Sequence, residues 1–131
     1  MDIKEFAQKF MEAEYEAWRG GNFEPLEQIE SPDMTLHMPP IPDLKGFEGH
    51  KQYIMTACES MKDLTVEGEY ITGDGNVGVL SFKETATLTA DNPVFKIPAG
   101  TTIDVDGFMV IRRENDRVAE IWIKGSMTAK K

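Results

Sequence analysis

Residues 101–127 read TTIDVDGFMVIRRENDRVAEIWIKGSM. Two runs rich in Val, Ile, Thr and aromatic residues, 101–113 and 118–127, flank the turn formers Glu114-Asn115-Asp116, so the stretch reads as two long antiparallel strands. Just upstream, 64–72 and 77–89 repeat the pattern around Gly73-Asp74-Gly75-Asn76, a hairpin turn. The connection 90–100, with Pro93 and Pro98, is the longest late loop and could cover an opening in the sheet.

The front of the chain has the other period. Asp2 followed by Glu5 resembles a capping box, and Ile3, Phe6, Phe10, Ala13 and Ala17 fall on one face of a helix over about 3–19, stopped by Gly20-Gly21. Asn22 caps a short second helix carrying Phe23, Leu26 and Ile29 and closed by Ser31-Pro32. Met34–Met38 is a short strand ending at Pro39-Pro40, 39–45 is a loop, and Ile54, Ala57, Cys58 and Met61 mark a third helix over about 47–61. Helices in front and a meander of strands behind predict one α+β domain over 1–131, a curved, largely antiparallel sheet wrapped around three N-terminal helices with a pocket at its open end.

Composition narrows the partners. The chain carries 14 Lys plus Arg against 23 Asp plus Glu, a formal charge of −9. Such a surface repels a phosphate backbone and anionic lipid, and no apolar run approaches the roughly 20 residues that span a bilayer. The expected partners are therefore neither nucleic acid nor membrane. A lone Cys58 and a polar start (Asp2, Lys4, Glu5) suggest a reducing cytoplasm. His37 and His50 stand apart without an adjoining ligand motif, and no Gly-rich phosphate loop is present, so neither a metal nor a cofactor is expected.

The order of elements resembles the nuclear transport factor two-like superfamily, and within it the SnoaL-like and steroid delta-isomerase-like proteins. The resemblance rests on Trp18-Arg19-Gly20-Gly21-Asn22-Phe23, Asp33-Met34-Thr35-Leu36-His37-Met38-Pro39, the helix entry Gly46–Ile54, and Asp116-Arg117-Val118-Ala119-Glu120-Ile121-Trp122. It implies a cone of three helices laid over a highly curved mixed sheet, with an internal ligand pocket and a homodimer through the outer face of the sheet. Members isomerise, dehydrate or cyclise small apolar carbonyl compounds with Asp or Glu, or only bind partners. In the isomerase-like members a carboxylate ends the first strand, with a helical Tyr and a fourth-strand acid at the oxyanion. Here the base position falls at Met38, the acid at Phe108, and the Tyr within a residue of Glu14 or Tyr15; no acid follows Trp122. A thioether and a phenyl ring cannot shuttle protons, which speaks against steroid-type isomerisation.

The register implied by the resemblance, with faces alternating along the strand, turns Leu80, Phe82, Glu84, Ala86 and Leu88 of the second long strand inward. On the next strand two patterns compete. Hydrophobicity buries Ile103, Val105 and Ile111, whereas the register implied by the resemblance turns Asp104, Asp106 and Phe108 inward. The second is taken here as the expectation, which places Glu84 and Asp106 in one cavity as acid/base carriers. His37, beside the base position, is a third candidate proton carrier, whereas His50 is expected to be exposed. Tyr15, Trp18, Met38, Tyr53, Phe82 and Phe108 are the candidate contacts to a small hydrophobic ligand, with the eight Met residues as adaptable wall. Trp122 points outward as an interface anchor. The readings that remain are an isomerase, cyclase or dehydratase using carboxylate acid/base chemistry, and a non-catalytic module that binds a small ligand or a protein.

Overall fold

Asp2 starts the first helix: its carboxylate accepts the Glu5 backbone N–H at 2.8 Å, and Gly21, at φ 68°, closes the other end in the left-handed region. In the computed structural model, which describes residues 1–130, the order is α1 (Ile3–Gly20), α2 (Glu24–Ile29), β1 (Glu30–His37), β2 (Leu44–Lys45), α3 (Gly46–Glu59), β3 (Met61–Asp74), β4 (Val77–Leu88), β5 (Thr102–Glu114) and β6 (Arg117–Ala129). The first strand begins earlier than its apolar alternation suggests, directly at the end of α2, and the expected 39–45 loop contains the two-residue β2.

One six-stranded sheet runs β2-β1-β6-β5-β4-β3. Every pairing is antiparallel except β1 with β6, where Leu36 faces Ile121 and His37 faces Trp122. Register shifts between Lys62 and Thr65, Tyr70 and Thr72, and Arg112 and Arg113 bend the long strands, and the sheet curls without closing. Its concave side takes the helices. Phe6 and Phe10 of α1, Leu26 of α2, Ile54 of α3 and Leu80, Ile111, Val118 and Ile121 of the sheet form the main core. A second apolar cluster of Ala86, Leu88 and Ile103 lies apart, flanked by Met61, Leu64 and Met127.

The pairing decides which face each strand residue takes. Phe82 lies opposite Gly107, and Glu84 opposite Val105. Directly paired residues share a face, so Ile103, Val105, Gly107, Met109 and Ile111 turn inward. Asp104, Asp106 and Phe108 turn outward, and Phe108 is 58% exposed. The register taken from the resemblance is thus one residue out on β5. The physical reason is plain: a one-residue slip would exchange an apolar row for a row containing two aspartates on the buried face.

Glycine permits the tightest part of the curve. Gly68, Phe82, Gly107 and Gly125 form one cross-strand row, in which the Phe82 ring fills the space beside Gly125 and the Met11 side chain that beside Gly68. A Cβ on Gly107 would stand 2.2 Å from the Lys124 carbonyl oxygen, whereas one on Gly20 would meet nothing within 4 Å. Gly107→Ala is expected to cost about 2 kcal/mol or more, and Gly20→Ala to be neutral or stabilising by roughly half a kcal/mol, as read from urea unfolding midpoints.

Candidate functional site

Between the helices and the concave sheet lies a cavity of about 420 Å³, walled chiefly by apolar side chains, including Met11, Met38, Met61, Met109 and Met127. Among the proton-bearing side chains that line it are Glu14 of α1, His50 and Tyr53 of α3, and Glu84 of β4. Each owes its position to a local period. Glu14 stands on the stripe Ile3, Phe6/Ala7, Phe10, Ala13/Glu14, Ala17 that α1 buries, and His50 on the stripe Phe47, His50, Ile54 of α3. Glu84 alternates inward with Leu80 and Phe82.

The buried groups form a chain. The Nδ1 of His50 meets the Glu30 carboxylate at 2.8 and 3.0 Å, and its Nε2 faces Glu14 Oε1 at 3.6 Å. The indole N–H of Trp18 donates to Glu14 Oε2 at 2.9 Å. The side chains of Glu30 and His50 are 0% and 3% exposed, so the pair is held by direct contact rather than by water. Burial holds the Glu14 carboxyl above its ordinary range; the nearby His50 pulls in the opposite direction and Glu30 adds to the rise. For His50, burial disfavours the cation, but the charges of Glu30 and Glu14 and the bond to Glu30 outweigh it and raise its affinity for a proton.

Donor atoms of Glu14, Glu30 and His50 lie within 4.8 Å of one another. The two carboxylates, however, occupy opposite edges of one imidazole ring. A metal ion at roughly 2.0–2.2 Å from Nε2 and Glu14 would leave Glu30 out of reach, so the cluster suits a shared proton better than a three-ligand metal site.

Glu84 stands differently. Its strand neighbours are Val66 and Val105, and among the described residues it makes no hydrogen bond or ion pair. Burial, then the charge of Glu14, pushes its carboxyl up to about 7. Its own charge in turn raises the Tyr53 phenol and the Cys58 thiol, both already raised by burial. An acid poised near neutrality can give or take a proton in an apolar cavity.

The other candidates divide clearly. Tyr15, Trp18, Met38, Tyr53 and Phe82 border the cavity, and Trp18 packs edge-on against Tyr53 at 6.2 Å. Asp106 and Phe108 do not; both belong to the outer face, for the reason of register given above. His37 also leaves the site. It lies on the outer face, stacked on Trp122 at 5.5 Å, with its two ring nitrogens on Asp43 at 3.0 Å and Glu120 at 2.6 Å. Those contacts, first that to Glu120, raise its proton affinity and occupy both nitrogens. His50, expected at the surface, is instead 2% exposed. The loop 90–100 reaches the cavity mouth, where Pro93 and Phe95 line it.

Glu84 carries a consequence for stability. Its proton is held more tightly in the folded state, about 7 against 4.5, so the folded chain binds more protons between those values. Stability from this group is full below pH 4.5 and is lost as pH rises through 7. Glu84→Gln should therefore raise the thermal midpoint relative to wild type above pH 7 and leave it nearly unchanged below pH 4.5. Equal midpoints at both values would place Glu84 in water.

Comparison with known proteins agrees with this architecture. The SnoaL-like domain family matches residues 11–121. TsrD from Streptomyces laurentii superposes with a TM-score of 0.80 at 20% identity, covering 96% of this chain and 91% of that one. A proposed SnoaL-like polyketide cyclase from Jannaschia sp. CCS1 gives 0.74 at 15% identity, covering 96% and 91%. A type 2 hexachlorocyclohexane dehydrochlorinase gives 0.73 at 11%, covering 98% and 88%. No curated protein sequence matches the chain significantly. No helix among the described residues is long and apolar enough to cross a membrane. The chain is a member of the SnoaL-like domain family, within the nuclear transport factor two-like superfamily.

Proposed function

We propose that the cavity is an acid/base site for a small apolar carbonyl compound, and that the reaction is an isomerisation, cyclisation or dehydration driven by proton transfer. The observation that carries this reading is Glu84, an unpaired carboxyl raised to about 7 inside an apolar cavity. A carboxylate there can remove a proton next to a carbonyl, because its pKa lies near the working pH and no water shell has to be stripped from it at the moment of reaction. Tyr53, from α3, offers a phenolic O–H to the same cavity. Glu30 holds the His50 ring by Nδ1, so its Nε2 and the Glu14 carboxyl can exchange a proton with the cavity. His50 and Glu14 thus take the roles first assigned to His37 and Asp106. The likeness to a proposed polyketide cyclase and a dehydrochlorinase supports a proton-transfer site of this class without selecting a substrate.

Exchange of the α-protons of β-tetralone in deuterated buffer, followed by proton NMR, tests the reading. Wild type should accelerate exchange, and Glu84→Gln should lower the rate by roughly 100-fold or more while still binding the ketone. Exchange at the wild-type rate in the variant removes Glu84 from the role. Binding without exchange in wild type selects the second reading, a ligand-binding module, which the thioether of Met38 at the usual base position favours.

We further infer that the partner of the outer sheet face is a second copy of the chain. Phe108 and Trp122 are 58% and 39% exposed there, and Val110 pairs directly with Trp122 between them. Trp122→Glu is expected to halve the mass read by sedimentation equilibrium; a wild type already monomeric overturns the inference.

A further inference from the structure

The cavity has one sign of charge. Glu14 and Glu84 face it and Asp91 stands in the loop that borders it, and among the described residues no lysine or arginine lines it. Its single cationic side chain, His50, is already matched by Glu30 and faces Glu14 with its other nitrogen. A ligand with a carboxylate or phosphate would meet no compensating charge, and desolvating that anion would go unrewarded.

Its walls are aromatic as well as acidic. Tyr15, Trp18, Tyr53, Phe82 and Phe95 come from four separate parts of the chain, α1, α3, β4 and the loop 90–100, so aromatic side chains surround the space rather than lie along one side. Aromatic faces beside a carboxylate are the chemistry that recognises an ammonium group, because the ring quadrupole and the anion attract the same charge and the rings tolerate its desolvation. Glu84 remains without a partner among the described residues, which leaves its carboxylate free to pair with such a group.

From the one-signed lining, the aromatic walls and the unpaired Glu84 carboxyl, we propose that the ligand of this cavity is an apolar ring compound carrying a protonated amine. The proposal rests on the reading of the cavity as a ligand site and specifies the substrate class: the carbonyl compound bears a basic nitrogen. It also supplies a reason for the unpaired acid. An arriving ammonium favours ionised Glu84 over the neutral acid, so the substrate itself converts Glu84 to the form that accepts a proton, and a proton leaves for solvent as the amine binds. The titratable groups around Glu84 are Glu14 of α1, Tyr53 and Cys58 of α3, His50 beyond Glu14, and Asp91 in the loop that borders the cavity, while Glu67 pairs with Lys83 on the outer face.

Calorimetric titration near neutral pH with naphthylmethylamine, naphthylmethanol and naphthylacetate tests the proposal. The amine is expected to bind one site about tenfold tighter than the alcohol, to be displaced by excess alcohol, and to release protons, seen as heat that varies with the ionisation enthalpy of the buffer; the acetate should not bind. In Glu84→Gln the amine should fall to the affinity of the alcohol, with alcohol binding kept. In wild type the advantage of the amine should fade as the pH is lowered below 7, where Glu84 takes its proton. Equal affinities for amine and alcohol, acetate binding as tightly, an amine that the alcohol cannot displace, a preference that survives Glu84→Gln, or no binding by any of the three overturns it. Alcohol binding without amine preference, alongside Glu84-dependent exchange in β-tetralone, would remove the amine and keep the acid/base site. Amine preference without exchange would do the reverse.

Discussion

The contact between Glu30 and His50 is the constraint around which the helical layer is organised. A carboxylate that is 0% exposed must be neutralised or fully paired, and the basic group in contact with it is the imidazole of α3, the Arg117 guanidinium reaching only the Glu30 backbone carbonyl at 3.2 Å. Satisfying Glu30 therefore fixes α3 against the junction of α2 and β1, and the remaining nitrogen of His50 faces Glu14, which brings in α1. Removing one member would leave an uncompensated charge in the core, whereas the apolar contacts around it could shift a little at small cost. The same chain of groups opens on the cavity at Glu14, so one network both orders the three helices and presents a proton-exchanging group to whatever enters. Such sharing sets stability against function, because the carboxyls raised by burial are those the cavity chemistry needs.

The sheet meets a complementary constraint. A strand's inward face has no middle course: a slip by one residue exchanges all of its side chains. On β5 the apolar row Ile103, Val105, Met109 and Ile111 settles the matter, and Asp106 is left outside, while on β4 Glu84 is carried inward because its neighbours in phase, Leu80, Phe82 and Ala86, must be buried. Glu84 is thus placed by its companions. Its high proton affinity is the cost of a position chosen by these three apolar residues.

Much of this was legible in the residues themselves. Period and turn chemistry located all three helices and the four long strands to within a few positions, and on β4 the register implied by the resemblance, extended by alternation, placed Glu84 and Phe82 inward. The face of β5 was legible too, in its hydrophobic pattern, but the register suggested by resemblance overrode it; burial of apolar area is the stronger guide when the two conflict. Glu14 and His50 carried a signal that went unused: each occupies the apolar phase of its helix, where a charged side chain needs a buried partner. What no local pattern offered was the partner itself. Glu30 lies at a helix–strand junction without periodicity, and its meeting with His50 is a tertiary event. The parallel pairing of β1 with β6 was equally hidden, since nothing in either strand names a partner so distant in sequence.

That parallel pairing governs when the cavity can come into being. Its lining runs from Phe10 to Met127, and β1 finds its place only after β6, the last strand, is available to pair with it. The helices and the β3–β4 hairpin can form from local contacts, but the enclosed acids acquire their low-dielectric surroundings at the final long-range closure. Glu14 and Glu84 therefore remain hydrated until β6 is available to pair with β1, and the molecule takes up protons as it completes its fold.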